Sequence, residues 1–434
     1  MLLITIDTLR ADRLGCYGAA TRTPNVDRLA REGTLFENAA CPVPATRPSH
    51  LSIFTSRYPR EIGVVDNALA MPSGLVTLPE VFKSNGYRTA GFVGVSLLNP
   101  QSGAARGFDT FDFPHPQQQR NAEVVVPQAL EWLRTATERP FFLWVHLFDP
   151  HMPYAPPPQY APAAPIDWVR ELPQVTWQRL LALADSHGGD LPSAALSRAL
   201  SLYSGEVEKT DYWVGVLLDT LRARGVLDQT VVALTADHGE CFEHGIFFEH
   251  YGCLYEGAAH VPLIVRYGAK VAAGERRRGI AEHVDLAPTL LALAGLPVPE
   301  AFVGRPLFNQ HGTGKQYAVV QHPTYPQDAV ALRRARLARM RQVGGVAASP
   351  LLLDREQYAL RGEIWKYIVT GTDEELYDIT TDGGEERNVA PHHPDVLAAL
   401  RVELQQWRAA HPARASKTVP MTNELRESLR ALGY

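Results

Sequence analysis

Cysteine and methionine are scarce here: four Cys and five Met in 434 residues. Cys16, Cys41, Cys241 and Cys253 make no CxxC pair and no zinc-finger spacing. That argues against a disulfide framework and against structural zinc, and free thiols fit a reducing compartment. No apolar run approaches the roughly 20 residues of a membrane span. Positive charge is not massed. The net charge is −5 with Lys and Arg spread along the chain, which argues against nucleic acid as the main partner. The densest basic run, Arg333 to Arg341, reads as a solvated face or a local anion contact. A basic n-region and a cleavable apolar segment are also missing, because Met1 to Ile6 already reads as a strand. The expectation is a cytoplasmic protein, or an exported one whose signal is absent from this sequence.

What is present is alternation. Strand-like and helix-like patterns alternate over the first ~310 residues, which predicts an α/β fold with a parallel sheet. Strands are expected at Leu2 to Ile6, Arg88 to Val95, Phe141 to Leu147, Thr230 to Thr235 and Val261 to Arg266. Helices are expected at Asn25 to Glu32, Thr77 to Asn85, Val124 to Thr137, Leu200 to Arg224 and Leu286 to Ala294, the last closed by Gly295. Tyr154 to Ile166 is an irregular, Pro- and Ala-rich excursion. Beyond Arg305 come short strands (Gln316 to Gln321, Glu363 to Thr370, Glu375 to Ile379) and a helix from His393 to His411. They predict a smaller C-terminal α+β domain over 311–434 beside a catalytic α/β domain over 1–310.

Chemistry-bearing residues collect at predicted strand ends. Asp7, His146 with Asp149 and His151, and Asp237 with His238 follow three different strands. Ligands in open α/β sheets bind at such ends. The stretch Thr46-Arg47-Pro48-Ser49-His50 looks like a nucleophile at a helix start. Pro48 suits a first turn, and a helix N-terminus favours an anion. On its own, Thr46 reads more readily as a helix cap than as a nucleophile, since caps are far commoner. A site of Asp7, Thr46, Asp237 and His238 offers three oxygens and one imidazole, a mix suited to one divalent ion such as Ca, Mn or Zn. Thr46 would then attack phosphorus or sulfur in line. His146, His151 and His250 are candidates to bind nonbridging oxygens or protonate the leaving group. Arg10, Arg47 and His50 could add contacts to the anion, and Asp149 is a further substrate-side candidate. His244 and His250 flank an aromatic loop, and His250 is the one expected to face substrate. His260 is expected to be structural.

The chain resembles the sulfatases of the alkaline phosphatase superfamily over nearly its whole length. The resemblance is carried by Ile4 to Asp12, Thr23 to Ala30, Thr46 to Pro59, His146 to Tyr154, Asp237 to Glu240, Leu254 to Gly257 with His260 to Arg266, and His283 to Thr289. It implies a large mixed or parallel sheet flanked by helices, a smaller C-terminal domain and one divalent metal on the four residues named above. Many sulfatases carry a second carboxylate where Thr8 stands, which makes Thr8 a weaker ligand. The departure is at Thr46. Sulfatases usually carry Cys or Ser there, in a Cys-x-Pro-x-Arg frame, and convert it to formylglycine. Here the frame reads Thr46-x-Pro48-x-His50, closer to phosphodiesterase, phosphonate hydrolase and transferase relatives that use an unmodified Thr. The expected activity is hydrolysis of a small-molecule, glycan or lipid sulfate or phosphate ester, with homo-oligomerisation open. Transfer to an acceptor other than water and a non-catalytic binding role are the alternatives. Specificity is expected in the loops 97–121 and 154–201.

Overall fold

The computed structural model describes residues 1–116, 118–135, 140–161, 166–268, 270–309, 314–323, 334–335, 338–348 and 354–415. Its strands are β1 (Leu2–Ile6), β2 (Thr34–Ala40), β3 (Arg88–Val93), β4 (Thr110–Asp112), β5 (Phe141–Leu147), β6 (Asp190–Leu191), β7 (Val232–Ala236), β8 (Leu263–Arg266), β9 (Glu275–Glu282), β10 (Ala318–His322), β11 (Gln342–Val343), β12 (Val346–Ala347), β13 (Gln357–Arg361), β14 (Trp365–Thr370) and β15 (Asp373–Asp378). The main helices are α1 (Pro24–Glu32), α2 (Thr46–Thr55), α3 (Leu78–Ser84), α4 (Ala122–Thr135), α5 (Trp177–Ser186), α6 (Ser193–Ala223), α7 (Leu286–Ala294) and α8 (Pro394–Ala410).

An eight-stranded sheet, ordered β4-β3-β5-β1-β7-β8-β2-β9, carries the architecture. β1 is buried along its whole length, as its unbroken Leu/Ile/Thr run requires of a strand covered on both faces. It runs parallel to β5 and β7, with Ile6 opposite Leu147 on one side and Ala236 on the other. β8 is antiparallel to both β7 and β2, so the sheet is mixed. Several strands escaped the sequence reading, among them β2, β4 and β9 of this sheet and β13 of the C-terminal part. β2 has a Glu-Asn pair in its middle, and β9 reads Glu-Arg-Arg-Arg-Gly-Ile-Ala-Glu. β9 is an edge strand, where charge guards against further pairing.

Helix ends follow their residues. Thr77 caps α3 by accepting from the Glu80 N–H at 3.4 Å, and Gly295 closes α7 in a left-handed turn at φ 71°. α6 begins at Ser193, seven positions before the expected Leu200. α2 departs from expectation in a way that bears on the site: Ala45 is the N-cap and Thr46 the first helical residue. Thr46 therefore does not serve as the cap.

A second sheet, β10-β13-β14-β15, is wholly antiparallel and lies in the C-terminal part, with α8 packed on it through Leu397, Leu400 and Leu404. A three-stranded patch, β12-β11-β6, joins residues 342–347 to Asp190–Leu191. Of the basic run at 333–341, residues 333, 336 and 337 lie outside the described residues. No described helix is long and apolar enough to cross a membrane.

Candidate active site and metal centre

Three neighbouring strands deliver the centre. Asp7 follows β1, Asp237 and His238 follow β7, and His146 is the penultimate residue of β5. The register places Thr5 opposite both His146 and Thr235, so the three strand ends finish level. The first turn of α2 is tied to them. Ser49 Oγ donates to the Asp237 carbonyl at 2.7 Å, and His50 Nδ1 stands 3.7 Å from Asp237 Oδ2.

Three of the four carboxylate oxygens of Asp7 and Asp237 have no hydrogen-bond partner. Asp237 Oδ1 accepts from the backbone N–H of His238 at 2.8 Å and of Thr8 at 3.2 Å. Asp237 Oδ2, both oxygens of Asp7 and Nε2 of His238 are buried with no hydrogen-bond partner. Buried polar atoms are almost always satisfied, so a cluster of orphans asks for a cation. His238 Nε2 lies 3.8 Å from Asp7 Oδ1 and 3.6 Å from Asp237 Oδ2. Burial, and next to it the negative charge of Asp7, pushes the Asp237 carboxyl up to about 7. Burial raises Asp7 as well. Thr8 holds a left-handed backbone at φ 53°, a conformation costing on the order of 1–3 kcal/mol for such a residue. Tyr203 Oη donates to its carbonyl at 2.7 Å and helps hold it there.

Fixed acceptors and donors sort the histidines. A backbone carbonyl only accepts and a backbone N–H only donates, so each contact fixes a tautomer. His238 Nδ1 is 2.9 Å from the Gly239 carbonyl, so Nδ1 carries the proton and the Nε2 lone pair faces the carboxylates. That is the usual arrangement of a metal-binding imidazole. His146 is the reverse. Its Nδ1 accepts from the Gly94 N–H at 3.3 Å, so Nε2 of the neutral ring carries a proton, 3.5 Å from Asp7 Oδ2 and without a hydrogen-bond partner. His151 donates from Nδ1 to the Met152 carbonyl at 2.6 Å. Among the described residues, two trios come close enough to hold an ion: Asp7, Asp237 and His238, and His50, His146 and Asp237. The tautomers favour the first. Burial lowers His146 and His238 to about 4, so both are neutral at ordinary pH.

The histidines expected from sequence converge. The His250 ring lies 4.4 Å from that of His238 and 5.7 Å from that of His151. Its Nδ1 faces Glu240 Oε1 at 3.2 Å. Glu240 is a buried carboxyl that the sequence reading did not place in the site. His244 stacks on Tyr255 at 3.8 Å, and His260 sits on the Glu37 carbonyl at 2.9 Å, as a structural residue would.

Three expected substrate contacts have other partners. The Arg10 guanidinium holds Asp12 at 2.8 Å, Glu243 at 2.9 Å and the Glu240 carbonyl at 3.0 Å. Arg47 donates to the carbonyls of Leu97 at 2.9 Å and Leu69 at 2.8 Å. Asp149 takes Lys209 Nζ at 2.6 Å on one oxygen and the Ala122 N–H at 2.7 Å on the other. Each is committed because burial of a charge demands a partner, which the fold supplies from distant sequence. Cysteine usage is also corrected. Cys241 and Cys253 form a disulfide closing the loop that carries His250.

Ligand-bearing ends of parallel strands facing a helix N-terminus, on a mixed sheet flanked by helices, give the alkaline-phosphatase-like fold shared with the solved structures below. The sulfatase family model matches residues 1–296, and the chain belongs to that family. It is 26% identical to N-acetylglucosamine-6-O-sulfatase of Bacteroides thetaiotaomicron over 390 residues, 71% of this chain and 70% of the relative. It is 27% identical to arylsulfatase A of Homo sapiens over 452 residues, 94% of this chain and 87% of the relative. Its fold matches a structure solved in complex with its substrate D-glucosamine-2-N,6-O-disulfate, with a TM-score of 0.73 at 20% identity, covering 100% of this chain and 98% of the other. It also matches the phosphonate monoester hydrolase of Agrobacterium radiobacter, with a TM-score of 0.71 at 20% identity and 98% of each chain covered.

Proposed function

We propose that this chain hydrolyses sulfate, phosphonate or phosphate esters of a small molecule, glycan or lipid through attack by the Thr46 hydroxyl, beside one divalent cation held by Asp7, Thr46, Asp237 and His238. The observation that most supports this reading is the group of buried, partnerless ligand atoms on Asp7, Asp237 and His238 beside the first turn of α2. The oxygen-rich donor set with one imidazole suits calcium, manganese or zinc. A cation bound there supplies positive charge that lowers the pKa of the Thr46 hydroxyl and offsets charge on the transferring group.

The chain's own residues do the rest. Thr46 Oγ, its proton lost to solvent, forms a bond to sulfur or phosphorus while the bond to the leaving oxygen breaks. The Nε2–H of His146 donates to a nonbridging oxygen, while the Arg47 N–H of the first turn of α2 is held by Asn67 Oδ1 at 2.8 Å. His151 or His250, when doubly protonated, gives the leaving oxygen its proton. Water then cleaves the Thr46 ester and restores the hydroxyl.

The test is a panel of 4-nitrophenyl sulfate, phosphate monoester, phosphate diester and phosphonate ester, with calcium, manganese and zinc varied. Turnover with water as the sole acceptor is expected, and Thr46→Ala is expected to lower it by several orders of magnitude. No activity on any substrate, with no metal retained by the purified protein, would sink the reading.

A further inference from the structure

His50 is fully buried, and both of its ring nitrogens are engaged. Nδ1 is 2.7 Å from the carbonyl oxygen of Thr46, one helical turn back. Nε2 is 2.9 Å from Thr5 Oγ1. Thr5 Oγ1 in turn lies 2.9 Å from the indole Nε1 of Trp144. Two ends of this chain have only one possible role. An indole N–H donates and never accepts, and a carbonyl accepts and never donates. For a ring carrying one proton the direction is forced: Trp144 donates to Thr5, Thr5 donates to His50 Nε2, and His50 Nδ1–H donates to the Thr46 carbonyl.

We propose that His50 is a positioning residue that locks the first turn of α2, and with it the Thr46 hydroxyl, through this one-way chain from the core. The inference rests on the reading of Thr46 as the nucleophile. The chain leaves His50 no lone pair for a metal and no second proton for a substrate, which separates it from His146 and His238 beside it. A second set of contacts pins the same turn from the other side. Ser49 Oγ donates to the Asp237 carbonyl at 2.7 Å, and its oxygen accepts from His283 Nδ1 at 2.8 Å. The turn is thus held against the strand end that carries Asp237, and the carbonyl of Thr46 is fixed by a side chain anchored on β1 and β5.

The experiment uses the full chain with manganese and 4-nitrophenyl sulfate and phosphonate esters, comparing His50→Asn, His50→Gln and His50→Phe. An Asn amide nitrogen takes the place of Nδ1 and keeps the bond to the Thr46 carbonyl. Gln reaches the Nε2 side instead, and Phe keeps only shape. The expected result is kcat within about tenfold of the parent for Asn and a loss of about 100-fold for Gln and Phe, with KM and bound manganese unchanged. The tautomer is read separately by ¹⁵N–¹H NMR of the metal-free parent, where His50 is expected to be neutral with its proton on Nδ1. A proton on Nε2, or an imidazolium at neutral pH, overturns the proposal even if a variant fails to fold. Equal losses in all three variants, or a rise in KM with kcat kept, also overturn it. Thr46→Ala run alongside separates the two readings: full turnover there removes the nucleophile assignment, whatever the state of His50.

Discussion

The backbone N–H of Thr8 donates to Oδ1 of Asp237, 3.2 Å away across the junction of β1 and β7. The His238 N–H takes the same oxygen at 2.8 Å. One carboxylate oxygen therefore belongs to the fold and the other, Oδ2, faces Asp7 and His238. Asp237→Asn keeps an oxygen for the two backbone donors and puts an amide where Oδ2 was. The expected outcome is a folded protein that has lost its metal. Affinity should fall by more than the roughly 10–100-fold that follows loss of an outer-shell partner. Circular dichroism and metal titration of the variant check this, and unaltered manganese affinity would count against the assignment.

Metal binding should release a proton below neutral pH. Asp237 is raised to about 7 first by burial and then by Asp7, so the metal-free site holds a proton that a cation must displace. His238, lowered to about 4, does not compete in this range. Affinity is expected to rise about tenfold per pH unit up to about pH 7 and to level off above it. Calorimetry in buffers of differing ionisation enthalpy would reveal the released proton. A flat affinity between roughly pH 5.5 and 7 contradicts the scheme.

Arg10 is expected to matter for stability more than for turnover. Its guanidinium ties the strand exit after β1 to the loop after β7 through Asp12, Glu243 and the Glu240 carbonyl. Both carboxylates are partly exposed, which screens the pairs. Arg10→Gln should cost on the order of 2 kcal/mol, seen as a lower denaturation midpoint. It should change kcat of the metal-loaded enzyme by less than about tenfold. A loss comparable to Thr46→Ala would restore Arg10 to the substrate site.

Lys209 sits between two buried carboxylates, 2.6 Å from Asp149 and 2.6 Å from Glu206. Burial, then the neighbouring Asp149 charge, raises Glu206 to about 7. Lys209→Met strands both acids in the interior. The expected cost is roughly 3–5 kcal/mol, measurable by urea unfolding at neutral pH. A variant as stable as the parent would show that water reaches this cluster.

The disulfide between Cys241 and Cys253 closes a loop of sequence separation 12 that holds His250 beside His238. The double change Cys241→Ala with Cys253→Ala should cost roughly 3 kcal/mol by chain entropy. A matching drop in thermal midpoint under reducing conditions, absent in the double variant, is the check.

How far the sequence spoke differs by residue. Asp7, His146, Asp237 and His238 were legible because each closes or follows an apolar run, and strand ends in such sheets gather ligands. The sequence reading also put His238 on the metal and His146 on the substrate oxygens, but the ring tautomers that suit those roles were not legible. They depend on which ring nitrogen meets a backbone group, such as Gly239 O for His238 or Gly94 N for His146, and spacing carries no trace of that. Arg10, Arg47 and Asp149 read as open to substrate because a charge near a motif looks free until the fold supplies its partner, here as far off as Glu243. β9 stayed hidden because an edge strand replaces apolar alternation with charge. The cysteine pair carried no signature, since a separation of 12 matches no short motif.

Thr8 and Asp237 meet although 229 positions separate them along the chain. A nascent chain emerging from the ribosome must therefore expose β7 before the two carboxylates share a site, long after β1 has appeared. Loop closure over that span is an entropically costly step. Metal capture would then wait for the middle of synthesis, ahead of the C-terminal sheet, and a chain halted before residue 237 would bind none.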